Sequence, residues 1–210
     1  MKDWRILPMG EAAVLAECAL ADVAAANAHA HALANALGAA FGVLPAIRSV
    51  LIRFDPLHWT PAQVIAAIEA QIAQLGTPEP PKGRIVTIPV RYDGPDLEEA
   101  AHSLGLSADE LIRRHTAQPW RVLMIGFAPG FPYIGPLPPA LTLPRRATPR
   151  PGVPAGSVAI AAGFTGIYPA RLPGGWHLIG QTDVVLFDPQ RTPPALLSAG
   201  DEVQFVACCA

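Results

Sequence analysis

The chain has little of several things that would narrow its function. Only Cys18, Cys208 and Cys209 are cysteines among its 210 residues, so we expect no disulfide framework, and a reducing cytoplasm is the simplest prediction. Lysine is nearly missing, with Lys2 and Lys82 alone. Arginine or backbone N–H groups must therefore hold any anion bound in the second half. The formal net charge of -2 gives no electrostatic support for binding nucleic acid or an anionic membrane.

Long apolar runs and the common catalytic motifs are also missing. No run approaches the roughly 18–20 apolar residues of a transmembrane helix, and residues 1–5 contain no signal-peptide core. The chain contains neither a Gly-x-x-x-x-Gly-Lys phosphate loop nor a His-Glu-x-x-His zinc motif. His29 and His31 are two residues apart, which places them on different faces of a helix. We therefore expect no metal site.

The first 82 residues alternate between strand and helix patterns. The predicted elements are a strand pair over 4–18, a helix over 23–37 capped by Asp22, a strand over 46–54 and a helix from Thr60 to Leu75. Proline and glycine are concentrated over 76–81, as in a linker. These patterns predict a small α/β N-terminal domain at residues 1–82.

Short strand patterns dominate from residue 83 onward. The predicted elements are strands over 84–90, 121–127, 184–187 and 202–206, and helices over 96–104 and 107–115. Asp96 and Glu99 are spaced as a capping pair for the first of these helices. Two helices among short strands favour a β-barrel or sandwich with a helical insert, at residues 83–210.

Proline is concentrated in one segment of this second half. Eleven of the 24 prolines lie between Pro129 and Pro173, and they alternate with aromatic and β-branched residues. Disordered segments lack such residues. The pattern therefore predicts a compact, irregular β structure whose rigid turns hold polar and aromatic groups at a binding surface.

A basic cluster and an aromatic motif are the strongest candidate site features in this segment. Arg145, Arg146 and Arg150 could clamp a phosphate or carboxylate, or form a solvated turn or ion pairs with a neighbouring subunit. In Gly174-Gly175-Trp176-His177, the glycines allow close approach of a ligand, the indole could stack on it, and the imidazole could transfer a proton. The alternative is a tight hairpin with the indole in the core.

Several neighbouring residues could likewise either bind a ligand or pack within the fold. Phe127, Phe131 and Tyr133 could line a groove or fill the core, and core packing is the more common role of such rings. Gln181 and Thr182 could bind a ligand amide, although strand residues need no such role.

Together these motifs resemble the KipI family, which is also called allophanate hydrolase subunit 1 or the B subunit of 5-oxoprolinase. The resemblance is carried by five stretches in the same order: Gly126–Gly135, Pro144–Arg146, Val153–Ser157, Thr165–Pro169 and Gly174–Gly180. It implies an α+β protein in which a small α/β N-terminal domain is followed by a cyclophilin-like β-barrel domain.

The resemblance also implies an activity and partners. The chain would be a subunit of an ATP-dependent 5-oxoprolinase-type amidohydrolase, inactive without a partner from the KipA family, which is also called allophanate hydrolase subunit 2. A LamB/YcsF-like protein would complete the reaction as a further partner, and ATP with Mg would bind at or near the interface with the KipA-family partner. The substrate would be 5-oxoproline or a similar small lactam or amide. A branch of the family instead inhibits a sensor histidine kinase, which is the alternative function.

The site predicted from the motifs and the resemblance divides into two groups. The catalytic candidates are His177, Arg145 and Arg146. The substrate-binding candidates are Phe131, Tyr133, Arg150, Tyr168, Arg171, Gly174, Gly175, Trp176, Gln181 and Thr182. One departure concerns the substrate: Gly180-Gln181-Thr182-Asp183 stands where the family usually has Gly-Arg-Thr-Pro. Arg171 is the candidate to supply the charge that Gln181 lacks.

Overall fold

The computed structural model describes residues 3–208, so Lys2 and Cys209 lie outside the described range. The chain divides into two compact units, Met1–Pro81 and Lys82–Ala210. Each unit has its own apolar core, and they are described separately. No helix within residues 3–208 is both long enough and apolar enough to cross a membrane.

The first unit is a four-stranded antiparallel sheet with two helices. Its elements are β1 (Trp4–Pro8), β2 (Ala13–Cys18), α1 (Val23–Leu37), β3 (Gly42–Pro45), β4 (Ser49–Arg53) and α2 (Pro61–Ile72). The strand order is β1-β2-β4-β3. The strand pair predicted over 4–18 is confirmed, with Leu7 opposite Leu15. Val14, Ala16, Val50 and Ile52 face the helices and are fully buried, as strand alternation requires.

Both helices begin where their caps predict. The Asp22 side chain accepts a hydrogen bond from the Ala25 N–H, and α1 begins at the next residue, Val23. At α2, Thr60 and Gln63 form the reciprocal capping box, and Pro61 occupies the first turn. The helix ends at Ile72, three residues before the predicted end at Leu75.

The strand predicted over 46–54 proved to be only one part of a hairpin. The observed strands are β3 and β4, and between them the Ala46 N–H donates to the Ser49 carbonyl at 2.7 Å. The chain therefore turns where the prediction continued a strand. β3 was missed because four residues ending in Pro45 are too short to show an alternating pattern.

The second unit consists mainly of short strands. Its elements are β5 (Ile85–Val90), α3 (Leu97–Ser103), α4 (Ala108–Thr116), β6 (Trp120–Ile125), β7 (Pro132–Ile134), a 3₁₀ turn (Pro139–Leu141), β8 (Arg150–Val153), β9 (Ser157–Ala161), β10 (Phe164–Ile167), β11 (Leu172–Gly174), β12 (His177–Gln181) and β13 (Glu202–Ala207). Seven strands form one sheet in the order β12-β9-β10-β7-β6-β13-β5, and β8 pairs with β11.

The seven-stranded sheet is closed into a barrel by one bridge between its two edges. Arg91, which follows β5, and Gln181, at the end of β12, exchange two backbone hydrogen bonds of 2.8 Å each. Pairing of the edges removes the exposed donors and acceptors that an open sheet would present. The predicted α+β fold with a barrel in the second half is confirmed.

His115 lies in the barrel interior, and both of its ring nitrogens are hydrogen-bonded. His115 is fully buried; its Nε2 lies 2.9 Å from Thr165 Oγ1 and its Nδ1 lies 2.7 Å from the Tyr92 hydroxyl. Thr165 donates its own proton to the Ala159 carbonyl. The ring must therefore donate from Nε2 and accept the tyrosine proton at Nδ1. Burial lowers the pKa of His115 to about 3, which keeps the ring neutral.

The strand predicted over 184–187 is not formed. These residues lie in a loop in which only Phe187 makes an isolated bridge, to Ala195. Leu186 is buried and Val184 is partly buried in the barrel core, so the apolar pattern reflects core filling and not strand pairing. Periodicity over four residues does not separate these two roles.

Candidate functional site

A second layer of buried side chains lies on the outside of the barrel wall. Along β9, Val158 and Ile160 belong to the barrel core, whereas Ala159 and Ala161 belong to a separate aromatic cluster. All five residues of β9 are buried, because the strand is covered on both faces. The aromatic cluster also contains Phe131, Val153, Tyr168, Trp176 and Leu178.

A cavity of about 360 Å³ opens among these rings. Its walls are formed by Phe127, Phe131, Tyr133, Arg145, Ala162, Phe164, Tyr168, Pro173, Gly174 and Trp176. Six of the ten are aromatic, and one carries a charge. A volume in the range of about 300–1,000 Å³ with apolar walls and a few polar groups is typical of small-molecule sites.

Edge-to-face contacts fix the rings around the cavity. Phe131 is at the centre, with ring centroids 5.1 Å from Tyr168, 5.3 Å from Tyr133, 5.5 Å from Phe127 and 5.6 Å from Trp176. The interplanar angles are 83–88° for Tyr168, Phe127 and Trp176 and 63° for Tyr133, all edge-to-face arrangements that aromatic rings prefer. The rings therefore form a rigid wall whose shape does not depend on a ligand.

Gly174 is required by the position of Tyr168. A Cβ atom at residue 174 would overlap the Tyr168 hydroxyl. The tyrosine ring is 1% exposed and packs against Phe131, so it has no space to withdraw. The glycine thus allows a buried hydroxyl to lie against the backbone at the cavity wall.

Two wall residues have an uncommon backbone conformation. Phe127 has φ 69° and Ala162 has φ 51°, and within residues 3–208 they are the only non-glycine residues with positive φ. Ala162 and Gly163 form the two-residue turn between β9 and β10, a position where asparagine or glycine is usual. Strain of this kind tends to collect at functional sites.

Three polar groups at the cavity wall have no partner within the described residues. Arg145 forms no ion pair, and neither Tyr133 nor Tyr168 forms a side-chain hydrogen bond there. Burial raises the pKa of both tyrosines, and the positive charge of Arg145 partly offsets the rise. At neutral pH the cavity thus offers one guanidinium and two neutral hydroxyls, all able to donate to a ligand oxygen.

The neighbouring arginines, Arg146 and Arg150, bind a buried carboxylate and do not line the cavity. Asp96 is buried, and its carboxylate accepts hydrogen bonds from Arg146 Nη1 at 3.0 Å, Arg150 Nη2 at 2.6 Å and the Leu178 N–H at 2.8 Å. Burial by itself would raise the pKa of Asp96, but the Arg150 hydrogen bond, the Leu178 amide and Arg146 outweigh it and lower the pKa. The carboxylate is therefore held ionised.

This cluster replaces two predicted arrangements. Asp96 precedes α3 but makes no side-chain capping bond, so the expected capping pair with Glu99 is not formed; Glu99 instead contacts Arg146 at 3.1 Å. The three arginines are not brought together in one clamp, because Arg146 and Arg150 face Asp96 while Arg145 faces the cavity. Arg146 and Arg150 thus form ion pairs within this chain, and not with the neighbouring subunit that the sequence alternative named.

Five other predicted site residues lie away from the aromatic cavity. His177 is buried, and its Nε2 lies 3.0 Å from the Pro144 carbonyl. The Gly175 carbonyl accepts from the Arg146 N–H, and the exposed Arg171 packs beside Gly152. Gln181 and Thr182 line other hollows near the barrel seam. Arg145, Phe131, Tyr133, Tyr168, Gly174 and Trp176 are the predicted residues that the structure brings together.

Sequence reasoning missed three wall residues, Phe164, Ala162 and Pro173. Phe164 starts β10 immediately after the two-residue turn, and its ring lies 6.3 Å from that of Tyr133. The signal for it was available: Ala162-Gly163 between two apolar runs marks a hairpin turn, which would have paired Phe164 with Ala161. Within residues 3–208, no group of three or more His, Cys, Asp or Glu side chains could hold a metal ion.

The fold defines a two-unit α+β protein with a closed barrel and an aromatic cavity, the candidate site, on the outer barrel wall. The chain belongs to the family described as carboxyltransferase domain, subdomain C and D, whose model matches residues 4–197. The resemblance to the B subunit of 5-oxoprolinase that the sequence motifs indicated is confirmed by curated relatives.

Similar proteins place this family membership in context. The chain is 49% identical over 142 residues to the B subunit of 5-oxoprolinase from Bacillus subtilis, covering 66% of this chain and 59% of the relative. It spans about three fifths of the length of the curated relatives it matches. The solved structure of TTHA0988 superposes with TM-score 0.81 and 38% identity, covering 94% of this chain and 40% of that chain.

A more distant structure shows the fold alone. The urea amidolyase of Kluyveromyces lactis has TM-score 0.81 at 18% identity, and covers 98% of this chain but 15% of that one. In both solved proteins, therefore, the matched region is a minor part of a longer chain.

Proposed function

We propose that the chain is a subunit of a 5-oxoprolinase-type enzyme and that its aromatic cavity binds 5-oxoproline or a similar small lactam or amide. The observation that carries the proposal is Arg145, an exposed guanidinium with no ion pair in the described chain, on the wall of a rigid aromatic cavity. The name of the relatives, which are B subunits of 5-oxoprolinase, supports the same substrate.

The chemistry of the cavity suits this class of ligand. A guanidinium pairs with a carboxylate through two parallel N–H bonds. The hydroxyls of Tyr133 and Tyr168 can donate to a lactam carbonyl, and such donors stabilise the oxygen more strongly as it gains negative charge. The faces and edges of the surrounding rings accommodate the flat, apolar part of a lactam and exclude water from it.

ATP with Mg, the predicted cofactor, would supply a phosphoryl group to activate the lactam oxygen. The aromatic cavity does not by itself offer a complete phosphate site, because Arg145 is the one charged residue among the described residues on its wall while Arg146 and Arg150 face Asp96. We therefore assign ATP to the assembled complex, at or near an interface with a partner of the KipA family, and derive no step of the reaction through it. A LamB/YcsF-like partner and a cytoplasmic location complete the proposal.

The test is substrate binding and turnover with a matched pair of arginine variants. We expect Arg145→Gln to weaken 5-oxoproline binding about tenfold or more, because the charge-assisted hydrogen bonds from the guanidinium to the carboxylate are lost. Arg113→Gln removes an arginine from the surface of α4, where it pairs with Glu110, and should leave binding unchanged. Binding is measured by calorimetry on the chain, and ATP hydrolysis on the chain co-purified with its KipA-family partner.

The outcomes separate the parts of the proposal. Unchanged 5-oxoproline affinity in Arg145→Gln would remove Arg145 from the site. ATP hydrolysis that needs both the KipA-family partner and 5-oxoproline supports the enzyme function. A stable complex that does not respond to 5-oxoproline points to another amide, with urea-like compounds first.

Inhibition of a sensor histidine kinase is the second candidate, and one observation favours it. Phe127 is 59% exposed at the rim of the aromatic cavity, and an exposed ring beside an apolar hollow suits a protein partner. Phe127→Ser would weaken kinase binding but have little effect on a small ligand held by Arg145. Failure of the chain to bind any KipA-family protein would favour this function.

A further inference from the structure

A second cavity of about 320 Å³ lies on the barrel unit, separate from the aromatic one. It is bounded by the turn before α3, by strand β8 and by the end of β12. Its polar lining residues are Asp93, Arg150, Ser157 and Gln181, and its glycines are Gly94, Gly152 and Gly180. No residue lines both this cavity and the aromatic one.

Ser157 is the most informative residue of this second cavity. Its side chain belongs to a residue only 6% exposed, and its hydroxyl has no hydrogen-bond partner among the described residues. The hydroxyl is not fully enclosed either, since it is absent from the buried atoms that lack a partner. A buried polar group that opens only to a cavity normally bonds to whatever occupies that cavity.

Two further residues line this cavity with polar groups. Arg150 donates through Nη2 to Asp96 and brings its positive charge to the cavity wall, whereas its Nη1 is enclosed by protein and does not open to the cavity. The Gln181 carboxamide makes no side-chain hydrogen bond within residues 3–208, while its backbone closes the barrel. Guanidinium, carboxamide and hydroxyl groups all supply N–H or O–H donors, and leaving such donors unpaired costs free energy.

The acidic groups nearby are already engaged. Asp93 is exposed at the rim and contacts Arg91 at 3.8 Å. Asp96, behind Arg150, is occupied by Arg146, Arg150 and the Leu178 amide. Among the described residues, the inner wall of the second cavity therefore presents hydrogen-bond donors and no free carboxylate. At Gly94, a Cβ atom would overlap the backbone of β12, so the turn presses directly on the strand that carries Gln181.

We propose that this cavity is a second binding site, which takes the phosphoryl or carboxylate group of a small anion on Arg150, Ser157 and Gln181. The proposal does not depend on 5-oxoproline binding in the aromatic cavity. An oxyanion would accept hydrogen bonds from the unpaired Ser157 and Gln181 donors, since each of its oxygens accepts more than one, and the positive charge of Arg150 would attract it.

The test is a titration of the full chain with inorganic phosphate, pyrophosphate and succinate, followed by backbone amide NMR. We expect shift changes to centre on residues 156–158 and 180–182. Ser157→Ala should weaken binding about fivefold, because one neutral hydrogen bond is lost. Gln181→Glu should weaken it about tenfold or more, because a carboxylate repels the anion. Tighter binding of phosphates would assign a phosphoryl ligand, and tighter binding of succinate a carboxylate ligand.

Matched controls make the result specific. Ser198→Ala and Gln190→Glu make the same chemical changes at exposed positions in turns, and both should leave anion affinity unchanged. The proposal is overturned if none of the three anions binds in the millimolar range, or if Ser157→Ala and Gln181→Glu both bind as tightly as the natural chain. 5-Oxoproline is titrated separately. If it does not bind, the proposed function is contradicted, but the proposed anion site is not affected.

Discussion

Polar side chains are hydrogen-bonded to one another in the interior of the barrel, whereas those of the aromatic cavity outside it have no hydrogen-bond partner among the described residues. Around His115, every donor meets an acceptor: Tyr92 to the ring, the ring to Thr165, and Thr165 to the Ala159 carbonyl. Around the cavity, Arg145, Tyr133 and Tyr168 have no partner among the described residues. Both regions contain aromatic rings and buried hydroxyls. Pairing, and not burial or residue type, therefore distinguishes the structural network from the candidate site.

The largest effect that would sharpen this comparison is expected at His115. His115→Leu keeps the approximate volume but leaves the Tyr92 and Thr165 hydroxyls facing an apolar side chain. At about 1–3 kcal/mol for each of the two unsatisfied hydroxyls, the free energy of unfolding should fall by roughly 2–6 kcal/mol, measured by urea denaturation. His58→Leu, at an exposed histidine, is the control. A loss below about 0.5 kcal/mol would show that the network adds little stability.

The pH dependence of stability is the next effect in size. The pKa of His115 is lowered by burial to about 3, below its unfolded value, so the unfolded chain binds more protons between pH 6.5 and 3. The stabilisation of the folded state that comes from the lowered pKa of His115 is thus fully present above pH 6.5 and is lost as the pH falls towards 3. Between pH 7 and pH 5 the loss should be about 2 kcal/mol.

His115→Leu should remove this part of the pH dependence, as seen in urea midpoints at pH 5 and 7. An equal slope in the variant would place the titrating group elsewhere. Asp96, whose pKa is lowered, adds a separate loss of stability at pH values below the usual range of an aspartate.

The smallest effect is expected in the cavity, where a hydroxyl can be removed without leaving a partner unpaired. Tyr133→Phe should change the free energy of unfolding by less than about 0.5 kcal/mol. It should weaken 5-oxoproline binding about fivefold, the cost of one hydrogen bond. If Tyr133→Phe destabilised the chain as much as His115→Leu, the contrast between the two regions would fail.

The sequence predicted the elements that local signals specify. Asp22 and Thr60 marked the starts of both helices in the first unit, the family resemblance implied the barrel, and the proline-rich motifs contained several residues of the cavity wall. The partner of a side chain was not predictable in the same way. Asp96 lies 50 residues from Arg146 and 54 from Arg150, so no local pattern shows that it engages both. Arg145 and Arg146 are adjacent in sequence, yet in the folded chain Arg145 lines the aromatic cavity while Arg146 pairs with Asp96.

The two-faced strand β9 has a consequence for how this protein could change over evolutionary time. Val158 and Ile160 face the barrel, while Ala159 and Ala161 face the aromatic layer, so neighbouring residues belong to different cores. Substitutions at the two alanines act on the packing of the aromatic layer, whereas substitutions at Val158 and Ile160 act on the barrel core. The two layers can therefore vary separately, one side of a single strand at a time.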